Sequence, residues 1–167
     1  PNYGKSADTK QITIHHLLTH SSGIQDIFTF EKIQEIDESQ IDTWYDYFPY
    51  FENDKLDFKP GKKWSYSNSG YLVLGKIIEA VSGENYCNYL SDNIYKLAEM
   101  TEINCGSPAG GSQVSMQELL NFSEALQQYR LLDESTTKSA MEDKIKVDKN
   151  VYPATDVYDA DTNAFGF

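Results

Sequence analysis

The octapeptide WSYSNSGY (64–71) places a phenol and an amide side chain two residues apart, a spacing that could serve acid–base chemistry. In an extended segment, residues i and i+2 point to the same side, so Tyr66 and Asn68 could project into one cleft while Ser67 faces away. A structural interpretation is also available, in which Asn68 or Ser69 is the N-cap of the following helix. The local chemistry alone favours this structural interpretation.

Two flanking elements would hold this octapeptide in place. A Pro-Gly turn, KPGKK (59–63), precedes it, and a helix is predicted over 69–83, where Gly83 supplies the stop. The apolar residues of this helix recur at helical spacing and are Leu74, Ile77, Ile78 and Val81.

The rest of the pattern is mainly helical. TIHHLLTHSSG (13–23) predicts a short helix with Thr13 as N-cap and Gly23 just beyond its end. Further helices are predicted within 31–53, over 85–97, from 115 onward and near 135–142. Ser115 and Glu118 indicate a capping box. The predicted buried stripe that follows them is Leu119, Phe122 and Leu126. NAFGF at the end is typical of a strand, so residues 1–167 predict one mainly α domain with few short strands.

Composition narrows the class of partner. The formal net charge of −12 and the pI near 4.5 disfavour nucleic acid and anionic membranes, because both would repel the chain. No apolar run is long enough to span a bilayer, and no signal-peptide core remains. Cys87 and Cys105 permit at most one disulfide, and the sequence leaves their pairing open.

Two groups of potential metal ligands are better interpreted as structural or solvated. His16 and His20 stand four residues apart on the predicted helix, but no third ligand is evident. Asp156, Asp159 and Asp161 resemble a calcium loop that lacks its glycine and its terminal glutamate. We therefore predict no metal site.

Four stretches, taken in order, carry a resemblance to a known family. They are ITIHHLLTHSSGI (12–24), FKPGKKWSYSNSGYLVLGKIIEAVSG (58–83), SPAGG (107–111) and AFGF (164–167). Together they resemble the serine β-lactamase-related family, which contains class C β-lactamases, D-alanyl-D-alanine carboxypeptidases and esterase-like penicillin-binding proteins. The resemblance covers nearly the whole chain and implies the helical subdomain of a β-lactamase/transpeptidase-like fold.

The resemblance implies an acyl-enzyme mechanism with three motifs. A Ser-x-x-Lys provides the nucleophile and a lysine, a Tyr-x-Asn provides a proton relay and a positioning amide, and a Lys/His-Thr-Gly strand forms part of the oxyanion site. Tyr66 and Asn68 match the second motif and are the predicted catalytic residues. A lysine ammonium beside the tyrosine would favour its phenolate. No organic cofactor is implied, and His20 is implied to be a structural cation or donor at a helix end.

The other two motifs of the family are not matched in place. The family's Ser-x-x-Lys precedes ITIHHLLTH and its Lys/His-Thr-Gly follows AFGF, so we expect a central fragment of a longer bacterial protein, inactive alone. The one Ser-x-x-Lys string present, STTK (135–138), is polar and predicts an N-capped surface helix. YKLAEMTEI (95–103) departs from the family's usual Pro-Leu-Gly-Met turn, which predicts a loop that packs differently.

The predicted function of the parent protein is hydrolysis of an amide or ester bond through an acyl-serine. The resemblance implies a β-lactam, a D-Ala-D-Ala peptide or an ester as substrate, and an extracytoplasmic location in the periplasm or at the cell surface. The alternative prediction is a non-catalytic module that binds a ligand or peptidoglycan. A Ser-x-x-Lys that opens an apolar helix would distinguish the enzyme from the binding module.

Overall fold

The computed structural model describes residues 8–142, together with the backbone of 145–146 and 164–165. The chain falls into two compact units. The first reaches to Gly70 and resumes at Ala140, and the second is Tyr71–Ser139. Helices predominate among the described residues, so the prediction of a mainly α fold is confirmed.

The first unit is built from short helices. Its α-helices are α1, Ile14–Leu18, and α2, Phe30–Ile33, and its 3-10 helices are Thr9–Gln11, Glu38–Gln40 and Trp44–Tyr50. Thr13 is the N-cap of α1, as predicted, because its hydroxyl accepts the amide hydrogen of His16. His16 Nδ1 in turn accepts the amide hydrogen of Thr13. The two residues thus satisfy donors that the start of a helix would leave unpaired.

Gly23 does not end α1 as predicted, because the helix already stops at Leu18. Gly23 forms a later turn with φ 80°, a conformation that favours glycine. A Cβ at this position would lie 2.2 Å from the carbonyl oxygen of Phe58. The backbone amide of Asp57 donates to the Gly23 carbonyl at 2.9 Å. The glycine therefore allows two loops of the first unit to pack backbone against backbone.

The core of the first unit contains Leu17, Ile24, Ile27, Phe48 and Phe51. Of the aromatic side chains in 44–51, only the two phenylalanines are buried, and the tyrosines and the tryptophan are half-buried. A 3-10 helix has three residues per turn, so residues 45, 48 and 51 share one face. That geometry accounts for the burial of the two phenylalanines, whose ring centroids are 5.0 Å apart.

The helix α3, Asn68–Ser82, begins in the first unit and continues into the second. Gly83 follows it with φ 75° and ends it, as predicted. Of the apolar residues that recur at helical spacing, Val81 is 80% exposed, whereas Leu72 and Val73, outside that set, are buried. The N-terminal part of α3 is therefore buried, and its C-terminal end is exposed.

The helix predicted over 85–97 changes type part-way. Asn85 caps α4, Tyr86–Leu90, by accepting the amide hydrogen of Cys87 at 3.0 Å. The chain then continues as one π-helical turn, Ser91–Tyr95. A β-bridge between Asn104 and Gln113 closes the loop that follows.

The helix α5, Met116–Gln127, buries only part of the predicted stripe, because Phe122 and Leu126 are half-buried but Leu119 is not. Ser115 caps it, as predicted, but Glu118 does not complete a capping box. The Glu118 carboxylate instead accepts the amide hydrogens of Thr101 and Glu102 at 3.0 and 3.1 Å. Glu118 therefore faces the protein, and Leu119, which was predicted to be buried, is 52% exposed.

A small apolar cluster forms the core of the second unit. Its buried members are Ala98, Met100 and Ala125, and the partly buried side chains around it are Tyr95, Ile103, Phe122 and Leu131. Cys87 and Cys105 form a disulfide, which answers the question that the sequence left open. Gly75 of α3 packs closely against the ring of Pro108. A Cβ at position 75 would lie only 2.0 Å from Cγ of this proline, so the contact requires glycine.

The chain ends with α6, Glu134–Met141, and two paired strands. The strands β1, Ile145–Lys146, and β2, Ala164–Phe165, are antiparallel, which confirms the predicted strand near the end. Asp156, Asp159 and Asp161 lie outside the described residues. None of the described helices has both the length and the apolar character needed to cross a membrane.

Candidate active site

The two serines of WSYSNSGY are structural residues. Ser67 is 1% exposed, and its hydroxyl accepts the amide hydrogen of Gly70 at 3.1 Å, so it is the N-cap of α3. The Ser69 hydroxyl accepts the amide hydrogen of Ile27 at 2.9 Å. The structural interpretation named Asn68 or Ser69 as the cap and was wrong on both. Because Ser67 caps the helix, the Asn68 amide is left for other contacts.

Tyr66 and Asn68 lie on the same side of the segment, as their spacing predicts. The Tyr66 hydroxyl donates to Asn68 Oδ1 at 3.4 Å, a long hydrogen bond. Tyr66 is 41% exposed, whereas Ser67 between them is buried. The phenol is therefore accessible from solvent rather than packed in the core, as a proton relay requires. The catalytic role of both residues stays a prediction.

Asp26 is the residue of this site that sequence reasoning missed. Both oxygens of its carboxylate lie 3.1 Å from Asn68 Nδ2. Its Oδ1 also accepts the backbone amide hydrogens of Asn68 and Phe28, each at 3.2 Å. Asp26 lies two residues beyond the end of the ITIHHLLTHSSGI stretch, and that position was the one signal available in the sequence. Only the fold reveals that it contacts a residue 42 positions away.

His20 packs beneath Tyr66. It has φ 53° and is 3% exposed, and its Nδ1 accepts the amide hydrogen of Ser67 at 3.1 Å. The centroids of the His20 and Tyr66 rings are 4.5 Å apart. Trp64 meets His20 edge-on at 6.0 Å. The imidazole thus restricts the position of the Tyr66 ring, and the indole packs against the imidazole.

His20 is neutral in this environment. Burial lowers the pKa of His20 to about 4, against the opposing charge of Asp26. The bond from the Ser67 amide requires an unprotonated Nδ1, so it also favours the neutral ring. His20 lies just beyond the end of α1, as the resemblance implies, but burial disfavours a cation there. Because Nδ1 is an acceptor, the neutral ring carries its proton on Nε2.

Tyr66 lines an open cavity of about 320 Å³ in the first unit. The other lining residues are Gln25, Asp26, Thr29, Glu31, Lys32, Asp57 and Ser65. Lys32 is the one cation of this lining, and its ammonium lies 2.7 Å from the Asp54 carboxylate. The hydrogen bond with Asp54 raises the pKa of Lys32. Of the two residues predicted to project into one cleft, Tyr66 lines this cavity and Asn68 is not part of its lining.

The STTK string (135–138) lies on an exposed helix, as predicted. Ser135 donates its hydroxyl hydrogen to Asp133 at 2.7 Å, and Lys138 pairs with Glu134. Asp133 also accepts the Thr136 amide hydrogen at 2.8 Å, and this bond is the main cause of its lowered pKa. Lys138 and the Ser135 hydroxyl thus bind different carboxylates, and they are not paired with each other as a base and a nucleophile.

No cluster of three or more histidine, cysteine or acidic side chains suited to a metal ion occurs within the described part of the chain. The Nδ1 atom of His16 is used by the cap of α1. That of His20 is used by Ser67. The Nδ1 atoms of the two histidines therefore accept backbone hydrogen bonds and are not directed at a common metal ion.

Comparison with solved structures identifies the class of fold. A penicillin-binding protein from Bacillus halodurans superimposes with a TM-score of 0.76 and 25% identity, over 82% of this chain and 52% of that one. A D-stereospecific amidohydrolase from a Streptomyces species gives a TM-score of 0.72 at 22% identity, over 88% of this chain and 55% of that one. The described residues thus have the β-lactamase/transpeptidase-type fold in its helical part.

Sequence comparison identifies the family. The Beta-lactamase family model matches residues 2–143, and the chain therefore belongs to the β-lactamase family. Penicillin-binding protein 4* of Bacillus subtilis is 36% identical over 93 residues, which are 54% of this chain and 20% of that protein. Protein flp of Staphylococcus aureus (strain MW2) is 33% identical over 99 residues, or 59% of this chain and 19% of that protein. The match thus covers about a fifth of each of these relatives.

Proposed function

We propose that this chain is the helical part of a serine hydrolase that cleaves an amide or ester bond through an acyl-serine intermediate. The observation that carries the proposal is the exposed Tyr66 side chain, which lines an open cavity and whose hydroxyl donates to the Asn68 amide oxygen. Membership of the β-lactamase family supports it. In this proposal Tyr66 relays the proton of the serine hydroxyl, and Asn68 positions the reacting groups.

The nucleophile in this proposal comes from a Ser-x-x-Lys outside the present sequence. A serine hydroxyl needs a base within hydrogen-bonding reach, and a lysine ammonium beside Tyr66 would favour the phenolate that can act as this base. Lys32 does not supply that charge in the first unit, because its ammonium is bound by Asp54. We therefore expect the chain by itself to be inactive.

Two observations support a class of substrate and a location. A relative is named a penicillin-binding protein and a structural neighbour a D-stereospecific amidohydrolase, which favours a β-lactam or a D-amino-acid amide or peptide over a simple ester. The disulfide between Cys87 and Cys105 favours an oxidising compartment outside the cytoplasm. We propose that the full-length protein acts there.

The test is covalent labelling of the full-length protein with a fluorescent penicillin, together with hydrolysis of p-nitrophenyl acetate. Tyr66→Phe should slow both reactions by roughly 10²- to 10⁴-fold, the usual contribution of a positioned acid or base. Tyr129→Phe is the matched control, because Tyr129 is 42% exposed and Tyr66 is 41% exposed. Equal effects of the two changes would contradict the assignment of Tyr66.

Two further outcomes decide between the enzyme and the alternatives. The isolated 167-residue chain should not be labelled, and a label on Ser135 would show that the STTK helix carries a nucleophile after all. If the full-length protein binds the fluorescent penicillin reversibly, without covalent labelling or ester hydrolysis, it is a binding module and the proposed hydrolase activity is wrong.

A further inference from the structure

The side-chain amide of Asn68 lies between two groups of different hydrogen-bonding character. An ionised carboxylate can only accept hydrogen bonds, so the end of the Asn68 amide that faces Asp26 must be the NH2 group. The carbonyl oxygen, Oδ1, is then turned towards Tyr66, whose hydroxyl can donate to it. The orientation of the amide therefore follows from the chemistry of its neighbours.

Asp26 leaves part of the Asn68 amide available. The two oxygens of one carboxylate lie close together, and both are 3.1 Å from Nδ2, so they share one of its two hydrogens. The second N–H bond and the Oδ1 lone pairs remain for other partners. Without the carboxylate, the two ends of the amide could exchange places with little change in shape.

Asp26 is itself held in a fixed position. Its Oδ1 accepts the backbone amide hydrogens of Phe28 and Asn68. The residue between Asp26 and Phe28 is also anchored, because Ser69 accepts the amide hydrogen of Ile27. The loop that carries the carboxylate is thus bonded at three points to itself and to the start of α3, which makes Asp26 a rigid support.

We propose that Asp26 is a positioning residue, which fixes the Asn68 amide with Oδ1 towards Tyr66 and one N–H free for a ligand. This inference rests on the proposed function. Asp26 acts through Asn68, and it sets which end of the amide an approaching donor or acceptor meets. An inverted amide would offer an N–H where a substrate or lysine N–H group requires an acceptor.

The decisive variant is Asp26→Asn in the full-length protein. It keeps one oxygen for the two backbone amides but places an NH2 group against the NH2 group of Asn68, which favours inversion of the Asn68 amide. The rate of labelling by a fluorescent penicillin should fall at least about tenfold, as expected for one lost hydrogen bond to a reacting or charged group. In an Asn68→Ala background the same change should have almost no further effect.

Two comparisons separate positioning from a general structural role. Asp46→Asn is the matched control, because Asp46 also accepts two backbone amide hydrogens but makes these bonds to Asp42 and Thr43. It should leave the labelling rate unchanged. Asp26→Glu keeps a carboxylate that can reach Nδ2, so it should recover part of the rate. Loss of rate with Asp26→Asn that persists undiminished in the Asn68→Ala background would overturn the proposal, as would no loss at all.

A second measurement does not depend on activity. The side-chain amide signals of Asn68 in a ¹H–¹⁵N NMR spectrum, assigned by their absence in Asn68→Ala, should shift strongly in Asp26→Asn and not in Asp46→Asn. If Asp26→Asn fails to fold, the same spectrum of Asp26→Glu is compared. Unchanged Asn68 signals would overturn the inference. If the signals shift but the protein is never labelled, the proposed function fails and the orientation of Asn68 by Asp26 stands.

Discussion

The imidazole of His20 contacts two consecutive residues, Tyr66 and Ser67. Its ring lies against the Tyr66 ring, with 4.5 Å between centroids, and its Nδ1 accepts the Ser67 amide hydrogen at 3.1 Å. Both contacts are made by the uncharged imidazole. The protonation state of one buried histidine is therefore coupled to the position of the proposed proton relay.

This coupling predicts a loss of stability in mild acid. The pKa of His20 is lowered from 6.5 to about 4 in the folded chain, so the unfolded chain takes up the proton first as pH falls. The free energy of unfolding should fall between about pH 6.5 and pH 4, and by about 2 kcal/mol at pH 5. Well above pH 6.5, where His20 is neutral in the unfolded chain too, its contribution should no longer change with pH.

His20→Asn is the variant that isolates this effect. Asparagine tolerates the φ of 53° at this position, and its Oδ1 can accept the Ser67 amide hydrogen in place of Nδ1. Urea unfolding at pH 7 and pH 5 should show a smaller loss of stability for the variant than for the wild type. Equal losses would contradict the assignment of the acid sensitivity to His20.

The parts of the site that could be predicted from sequence are those set by local geometry. The spacing of two residues predicted that Tyr66 and Asn68 lie on one side, and Thr13 was identified as an N-cap because the residues after it form a helix. Ser67 was missed as the cap of α3 because three adjacent polar residues can each cap a helix. The helix begins at Asn68, so the residue before it, Ser67, is the cap.

The remaining parts depend on contacts between distant segments. Asp26 reaches Asn68 across 42 positions, and no periodicity within either segment indicates that bond. The neutral state of His20 follows from burial, which is a property of the packed unit. Similarly, Glu118 was expected to cap its own helix, but Thr101 and Glu102 present backbone amides that it binds instead. Local patterns therefore predicted the elements better than their partners.

Removal of the N-cap of α3 should lower the stability of the chain by a measurable amount. Ser67→Ala would leave the amide hydrogen of Gly70 without its acceptor in a buried setting. The free energy of unfolding should fall by roughly 1–2 kcal/mol, as measured for N-caps in general. Ser82→Ala is the control, because that serine lies at the other end of α3. Urea unfolding at pH 7 distinguishes the two, and equal changes would contradict the capping role.

The disulfide predicts a redox-dependent stability of the second unit. Cys87 and Cys105 are 18 positions apart, so the bridge restricts a loop of that length in the unfolded chain. Reduction, or the double change to serine, should lower the free energy of unfolding by about 3 kcal/mol. Unfolding in urea with and without dithiothreitol measures this difference. The double serine variant serves as the control, because it should no longer respond to dithiothreitol.

The last prediction concerns the loop that replaces the family's Pro-Leu-Gly-Met turn. In this chain the residues before Met100 are Leu97, Ala98 and Glu99, and Glu99 has φ 57°. That left-handed conformation costs a residue with a Cβ roughly 1 kcal/mol, and glycine adopts it freely. Glu99 therefore occupies a strained position, directly before Met100 of the core of the second unit.

Comparison of two substitutions separates backbone strain from charge. The Glu99 carboxylate pairs with Arg130 at 3.1 Å, but it is largely exposed, and such a pair contributes between 0 and about 1 kcal/mol. Glu99→Ala removes the pair and keeps the Cβ, whereas Glu99→Gly removes both. The free energy of unfolding, measured in urea at pH 7, should be about 1 kcal/mol higher for the glycine variant than for the alanine variant. An alanine variant as stable as the glycine variant would mean that the loop relaxes the strain in another way.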